Sequence, residues 1–385
     1  MSQILKTLTP FMEINKEFPF ASPIKEWKQS GGKVIGFYGG DIPEEILSAA
    51  GALPVWLRGH CSEIPLDDAN SYLHIYTCSH MRSILEIALK GDYNYLDGVM
   101  STPYCDGSRR MFDVWDRYIP IPALFFLHTP HKNTPEAEAY YYENMKEFVT
   151  SLESTFQKKV TKEALWDAIK TYNQTRKLFI QLYDLRKKDN PPISGAEVME
   201  IYDASAMMPR KDFNILLEKV IDEAKTADRK LDSGHRLMIN GTALHNPEYV
   251  KGIEDLGSIV VADSLLNGAM GFSDLISEDE NTDPLLAITR HYLNKFPAPR
   301  MVPSEIRFDK ILQMAEDFRI DGMITGVVRY CAPHIYDEIR LSKRFEARGI
   351  PSLRLDLEYG MAATGQIKTR VQAFIEMIEE RKRKG

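Results

Sequence analysis

Three of the four cysteines in this 385-residue chain, Cys78, Cys105 and Cys331, stand where a strand-like run gives way to a loop or helix. That is where α/β folds assemble active sites. Asp97-Gly98-Val99-Met100 leads into Pro103-Tyr104-Cys105-Asp106, and Asp321-Gly322-Met323-Ile324-Thr325-Gly326-Val327-Val328 leads likewise into Tyr330-Cys331-Ala332-Pro333. The two segments echo one another, as though two similar halves each sent a thiol to a shared cleft. Cys78 lies in Tyr76-Thr77-Cys78-Ser79-His80, just before the apolar helical run of Ile84, Leu85, Ile87 and Ala88. Thiolates converging from three loops could hold an iron–sulfur cluster, whose irons prefer soft sulfur ligands. No CxxC pair occurs, so spacing alone leaves the alternative open that these are buried structural thiols, the commoner fate of free cysteine.

Such thiols need a frame to bring them together. Residues 33–38, 53–57, 98–101 and 122–127 read as strands, with helices between them. Asp41 is placed to cap the helix that starts near Pro43, where Glu44 and Glu45 suit the positive end of the helix dipole. From Thr134-Pro135 a charged helical stretch runs, with breaks, to about residue 230. Asn190-Pro191-Pro192 makes one break, and Ser194 with Glu197 forms a capping box. A second set of strands follows at 236–239, turning at Asn240-Gly241, and at 258–263, 321–328 and 352–357. A final helix carries Ile367, Val371, Phe374, Ile375 and Ile378 on one face. Strands alternating with helices predict largely parallel sheets. The chain therefore reads as α/β: two Rossmann- or flavodoxin-like parallel-sheet lobes, 1–132 and 233–385, joined by a helical region over 133–232.

Composition narrows the function. A formal net charge of −7 and a pI near 5.8 give no basic footprint for nucleic acid. No apolar stretch approaches the roughly 20 residues that span a bilayer, and Met1 to Pro10 holds no apolar leader, so the expectation is a cytoplasmic protein with reduced thiols. There is no GxGxxG after the first strand, no Walker A, no HExxH and no GxSxG. Gly39-Gly40 reads as a turn in preference to a nucleotide cradle, and the chain is not expected to hydrolyse ATP. Cys61 reads as structural.

With these residues in view, the chain resembles the 2-hydroxyacyl-CoA dehydratase and benzoyl-CoA reductase family over most of its length. The carriers are Ile42-Pro43-Glu44-Glu45-Ile46-Leu47 followed by Ala49-Ala50-Gly51-Ala52-Leu53-Pro54-Val55, the three cysteines in order, and Gly365-Gln366-Ile367-Lys368-Thr369-Arg370. The chain departs from many relatives at Ala332 and at His334-Ile335. The resemblance implies one [4Fe–4S] cluster on Cys78, Cys105 and Cys331, with one iron left to a non-protein ligand or to substrate. It implies a homologous second subunit and a separate ATP-hydrolysing iron–sulfur activator that injects one electron. An acyl-CoA substrate would be reduced at its thioester carbonyl to a ketyl radical anion, which expels the neighbouring hydroxyl, after which the electron returns. An aromatic acyl-CoA reductase subunit, or a non-catalytic electron relay, are the other implied roles; a metabolite-binding protein with structural thiols needs no resemblance at all.

Around such a cluster, Ser79, Asp106 and Tyr330 adjoin ligands and are candidates for tuning it by hydrogen bonds, with Asp106 and His334 the candidate catalytic groups. His334 is the proton donor in that reading. Arg109 and Arg110 could meet CoA phosphates or the activator, because a guanidinium matches phosphate geometry; for any arginine an exposed ion pair is the commoner fate.

Overall fold

A computed structural model describes residues 4–229, 231 and 234–384. The expected boundary at 232–233 and both chain ends lie outside the described residues. Eight strands form two four-stranded, all-parallel sheets. Strands β1 (Lys33–Tyr38), β2 (Ala52–Trp56), β3 (Gly98–Ser101) and β4 (Leu124–Phe126) pair in the order β2-β1-β3-β4. Strands β5 (His235–Gly241), β6 (Ser258–Ser264), β7 (Gly322–Val328) and β8 (Ser352–Leu357) repeat that order as β6-β5-β7-β8. Parallel sheets carry helices on both faces, which demands unbroken apolar runs. Accordingly, every residue of β3, β6 and β7 is buried.

In each sheet the chain leaves the first strand in one direction and returns to its other side for the third. The crevice at that reversal, beyond the carboxyl ends of the strands, is where open α/β sheets take ligands. The ends concerned are those of β1 and β3 in one lobe and of β5 and β7 in the other. Paired registers such as Tyr38↔Ser101 and Gly241↔Gly326 hold the two ends of each crevice level.

The helical region braces both sheets. Thr134 and Thr161 cap helices Pro135–Phe156 and Lys162–Arg186, and the Ser194/Glu197 capping box opens Gly195–Ser205. Tyr141, Met145 and Phe148 pack with Ile35, Phe37 and Met100 of the first sheet. Leu178, Phe179 and Leu182 pack with Met238, Ile259 and Val261 of the second. The lobes also exchange elements. Helix Pro284–Asn294, which lies between β6 and β7 in sequence, gives Leu285, Ile288 and Leu293 to the first-lobe core.

Two local expectations change. Asn240-Gly241 does not turn the chain, because β5 has parallel neighbours on both sides and no hairpin can form there. Instead Gly241, at φ +139, continues the ladder against Gly326, where a Cβ would stand 2.0 Å from the Gly326 carbonyl oxygen. Asp41 does not cap helix Glu44–Ala49, whose N-cap is Pro43. It sits in the left-handed region at φ +60, and its carboxylate reaches Lys295 Nζ at 3.2 Å and Arg300 at 3.6 Å. These two cations overcome burial and hold the Asp41 carboxyl below its usual range.

Candidate metal centre

Each of the three cysteines is the N-cap of a helix. Cys78 opens Ser79–Leu89, Cys105 opens Asp106–Tyr118 and Cys331 opens Ala332–Glu346. Cys105 and Cys331 follow β3 and β7, the same strand of each lobe, so the echo in the sequence is an echo of topology. The three line one small cavity at the seam between the lobes, together with Gly39 after β1, Thr242 and Ala243 after β5, and Val328 at the end of β7. Both crevices therefore open onto the same space.

Helix N-termini favour negative charge through their free N–H groups and dipoles. At Cys105 this is explicit: Ser108 N–H donates to Sγ at 3.3 Å, and Ser108 Oγ accepts from Cys105 N–H at 3.0 Å. The N–H groups of His80 and Met81 act in the same sense on Cys78, and that of His334 on Cys331. At Cys78 and Cys331 burial and repulsion from the neighbouring sulfurs nonetheless prevail. They push Cys78 up to about 12 and Cys331 well above the ordinary thiol value. As thiolates they need a cationic centre between them.

The cavity wall also holds three buried polar atoms without a partner: His80 Nε2, Tyr104 Oη and His334 Nδ1. Buried polar groups are normally satisfied, so these await a group that enters the cavity. Gly39, at φ +89, brings bare backbone to its edge. The donor set of three sulfurs fits an iron–sulfur cluster. Among the described residues no three His, Cys, Asp or Glu side chains stand close enough to share one metal ion; cluster ligands, each on its own iron, need not meet at a single point.

The other residues singled out in the sequence divide. His334 is buried and lines the cavity. Ser79 is buried beside Cys78, where its Oγ accepts from Tyr359 N–H at 2.9 Å. Tyr330, at φ +67 and about half exposed, packs on Tyr76 at 5.1 Å outside the cavity. Asp106, Arg109 and Arg110 turn to solvent on the first turn of their helix; Arg110 pairs with Asp113 at 2.8 Å and with Asp106 at 3.6 Å. Cys61 lies apart from the cavity, accepting from Arg58 at 2.9 Å, and burial raises its thiol to about 11.

Sequence reasoning missed Tyr104, Ser108 and His80, although all three lie within three residues of a cysteine. It also missed a buried polar chamber that abuts the cysteine cavity and shares Gly39 and Leu266 with it. Its wall includes Arg176, paired with Glu45 at 2.5 Å, Arg210, paired with Glu44 at 2.7 Å, and His245. These partners are more than a hundred residues apart in the chain, so no local pattern announces them.

An α/β protein of two matched parallel-sheet lobes, with three helix-capping cysteines at their seam, is the class that fold and site define. The family described as "2-hydroxyglutaryl-CoA dehydratase, D-component" matches residues 40–378, and the chain belongs to it. It is similar to the (R)-phenyllactyl-CoA dehydratase beta subunit of Clostridium sporogenes, at 27% identity over 98% of this chain and 100% of that one. It is similar also to a benzoyl-CoA reductase subunit of Thauera aromatica, at 23% over 92% of this chain and 94% of that one. A third relative is the (R)-2-hydroxyglutaryl-CoA dehydratase beta subunit of Acidaminococcus fermentans, at 23% over 93% of this chain and 96% of that one. Among the described residues no helix is long and apolar enough to cross a membrane.

Proposed function

We propose that this chain is the iron–sulfur subunit of an (R)-2-hydroxyacyl-CoA dehydratase, with Cys78, Cys105 and Cys331 each holding one iron of a [4Fe–4S] cluster. The observation that carries this reading is the meeting of three helix-capping sulfurs from both lobes in one cavity walled by unpartnered polar atoms. When bound, the cluster supplies one-electron chemistry and, with only three protein ligands, an open iron position. The protein's part is to offset negative charge with three helix N-termini, to exclude bulk water, and to offer Tyr104 Oη, His80 Nε2 and His334 Nδ1 to whatever enters. Burial, with Arg307 nearby, pushes the His334 imidazole down to about 3, so it meets the cavity as a neutral group and not as the proton donor its position suggests, whereas Asp106, Arg109 and Arg110 face outward and suit a partner or the CoA phosphates.

A subunit role is supported by the names of the relatives and by the surface. Tyr72, Ile75, Tyr76, Tyr330 and Tyr336 are exposed just before or on the first turns of the helices that Cys78 and Cys331 cap, and exposed Tyr118, at the far end of the Cys105 helix, packs on Tyr72 at 4.8 Å. Tyrosine-rich apolar surface is typical of protein interfaces. It fits a homologous second subunit, with the ATP-dependent activator engaged by the assembled enzyme.

The reductase relative gives the second reading, a subunit of an ATP-dependent aromatic acyl-CoA reductase. Reductant consumption separates the two. With partner and activator present, and without oxygen, a dehydratase turns over many acyl-CoA molecules per electron supplied. Stoichiometric consumption of reductant would overturn the dehydratase reading in favour of the reductase. A chain that holds iron while all acyl-CoA binding resides on the partner would be an electron relay.

A further inference from the structure

Behind the cysteine cavity, Asp203 and His245 form a pair that the chemistry described above does not use. Both are almost fully buried, and His245 Nδ1 lies 2.7 Å from Asp203 Oδ1. Arg58, itself wholly buried, stands 2.9 Å from the other carboxylate oxygen as an ion pair, without the alignment of a hydrogen bond. Asp203 is thus a fixed acceptor, and it selects the His245 tautomer with its proton on Nδ1. Asn267 Nδ2, 3.4 Å from the same ring nitrogen, finds acceptors for its two hydrogens in the Leu244 carbonyl at 2.6 Å and the softer Met199 Sδ at 3.7 Å, whereas Asp203 approaches that nitrogen to 2.7 Å. The remaining nitrogen, Nε2, then carries a lone pair with nothing donating to it, although it is buried.

His245 lines the polar chamber of about 60 Å³. Trp56 and Arg176 line it too, and Trp56 Nε1 and Arg176 Nε are buried donors without partners. The orphans are therefore complementary: two N–H donors and one basic acceptor. A hydroxyl group both accepts and donates, and can satisfy both kinds. Thr242 and Ala243, on the loop that carries His245, face the cysteine cavity. His80, on that cavity's wall, lies 6.0 Å from the His245 ring.

We propose that Asp203 and His245 are a proton-transfer dyad serving the chamber, with His245 Nε2 the catalytic base and Asp203 a positioning residue, and that the chamber takes the hydroxyl-bearing end of a 2-hydroxyacyl group. This rests on the dehydratase reading. Elimination of water breaks one C–H and one C–O bond and forms a C=C bond. The proton leaving carbon passes to Nε2, the imidazolium is held by Asp203, and the same proton goes to the departing hydroxide as water, so His245 returns unchanged. Arg58 keeps the ion count even, its charge balancing that of Asp203.

Two measurements test this. In the assembled enzyme with partner and activator, His245→Gln is expected to keep its iron and to lose about 10²- to 10⁴-fold in kcat, the usual share of general acid–base catalysis, with KM changed less than about threefold. Trp56→Phe, which keeps the ring and removes the N–H, is expected to lower kcat/KM about tenfold, the size of one buried hydrogen bond, and it serves if the first variant does not fold. Rates within threefold of wild type in both variants would overturn the proposal. Independently, nitrogen NMR of the histidine-labelled protein, with the His245 signal assigned by its loss in His245→Gln, should show the Nδ1–H tautomer, shifted in Asp203→Asn. An Nε2–H tautomer would overturn it too. If the wild-type enzyme dehydrates no 2-hydroxyacyl-CoA, the catalytic role falls with the dehydratase reading, and the NMR result still decides whether the dyad presents a free acceptor.

Discussion

The two lobes share a strand order but contribute unequally to the seam between them. In each, the helix after the third strand begins at a cysteine, Cys105 in the first lobe and Cys331 in the second. The first lobe adds Cys78, at the head of the helix that leads into β3. The corresponding stretch of the second lobe, between β6 and β7, has no cysteine and instead sends helix Pro284–Asn294 into the first lobe's core. The repeated topology thus supplies a matched pair of positions, and the departure from repetition supplies both the third sulfur and the lock that holds the lobes in place. Wall residues from four strand ends then close around the sulfurs.

If that division is right, Cys331→Ser has the largest effect. It removes the one sulfur that the second lobe sends to the cavity and, if the proposed cluster is held there, should take iron, measured after anaerobic purification with the partner, from about four per chain to near none. Cys61→Ser, outside the cavity, should keep full iron; equal losses in the two would erase the distinction between the thiols. Next comes Asp203→Asn, which strands the buried Arg58 charge. Urea unfolding should show a loss of about 3–5 kcal/mol, the cost of breaking one partner from a buried ion pair.

A smaller effect concerns the exchanged helix. Burial, with Arg176 and Lys295 nearby, holds the His291 imidazole well below its ordinary value. The folded state therefore binds fewer protons than the unfolded chain once pH drops below about 6.5, so this contribution is present above that pH and is lost as pH falls towards the depressed value. His291→Leu should flatten the acid side of the stability profile, by at most about 1.4 kcal/mol per pH unit for one proton. An unchanged slope would remove His291 from the account. Smallest of all is Asp106→Asn: the side chain faces solvent in an exposed pair, so iron content and thermal midpoint should stay at wild-type values. Loss of iron there would mean that the helix turns differently from the arrangement described.

Much of this was legible in the sequence, for reasons that can be named. The strand runs are unbroken apolar segments because both sheet faces are covered, and the Ser194/Glu197 box is a local pattern that needs no tertiary information. The positions of Cys105 and Cys331 could be read because each follows a strand directly. What could not be read depends on the far partner. Asp41 looks like a cap until Lys295 and Arg300, over 250 residues later, arrive at its carboxylate. Asn240-Gly241 looks like a hairpin turn until parallel neighbours occupy both edges of β5. Asp203 and His245 are separated by two elements of structure and carry no spacing that marks them as a pair. The outward placement of Asp106 beside an inward Cys105 follows from helix phase, which a one-residue step rotates by about 100°.

The most direct test of the central claim is anomalous X-ray scattering at the iron edge, from crystals of the protein grown with its partner in the absence of oxygen. One compact iron centre is expected, bounded by the sulfurs of Cys78, Cys105 and Cys331, with none near Cys61. An iron-free cavity in protein that carries iron elsewhere, or sulfurs that do not surround the iron found there, would contradict it.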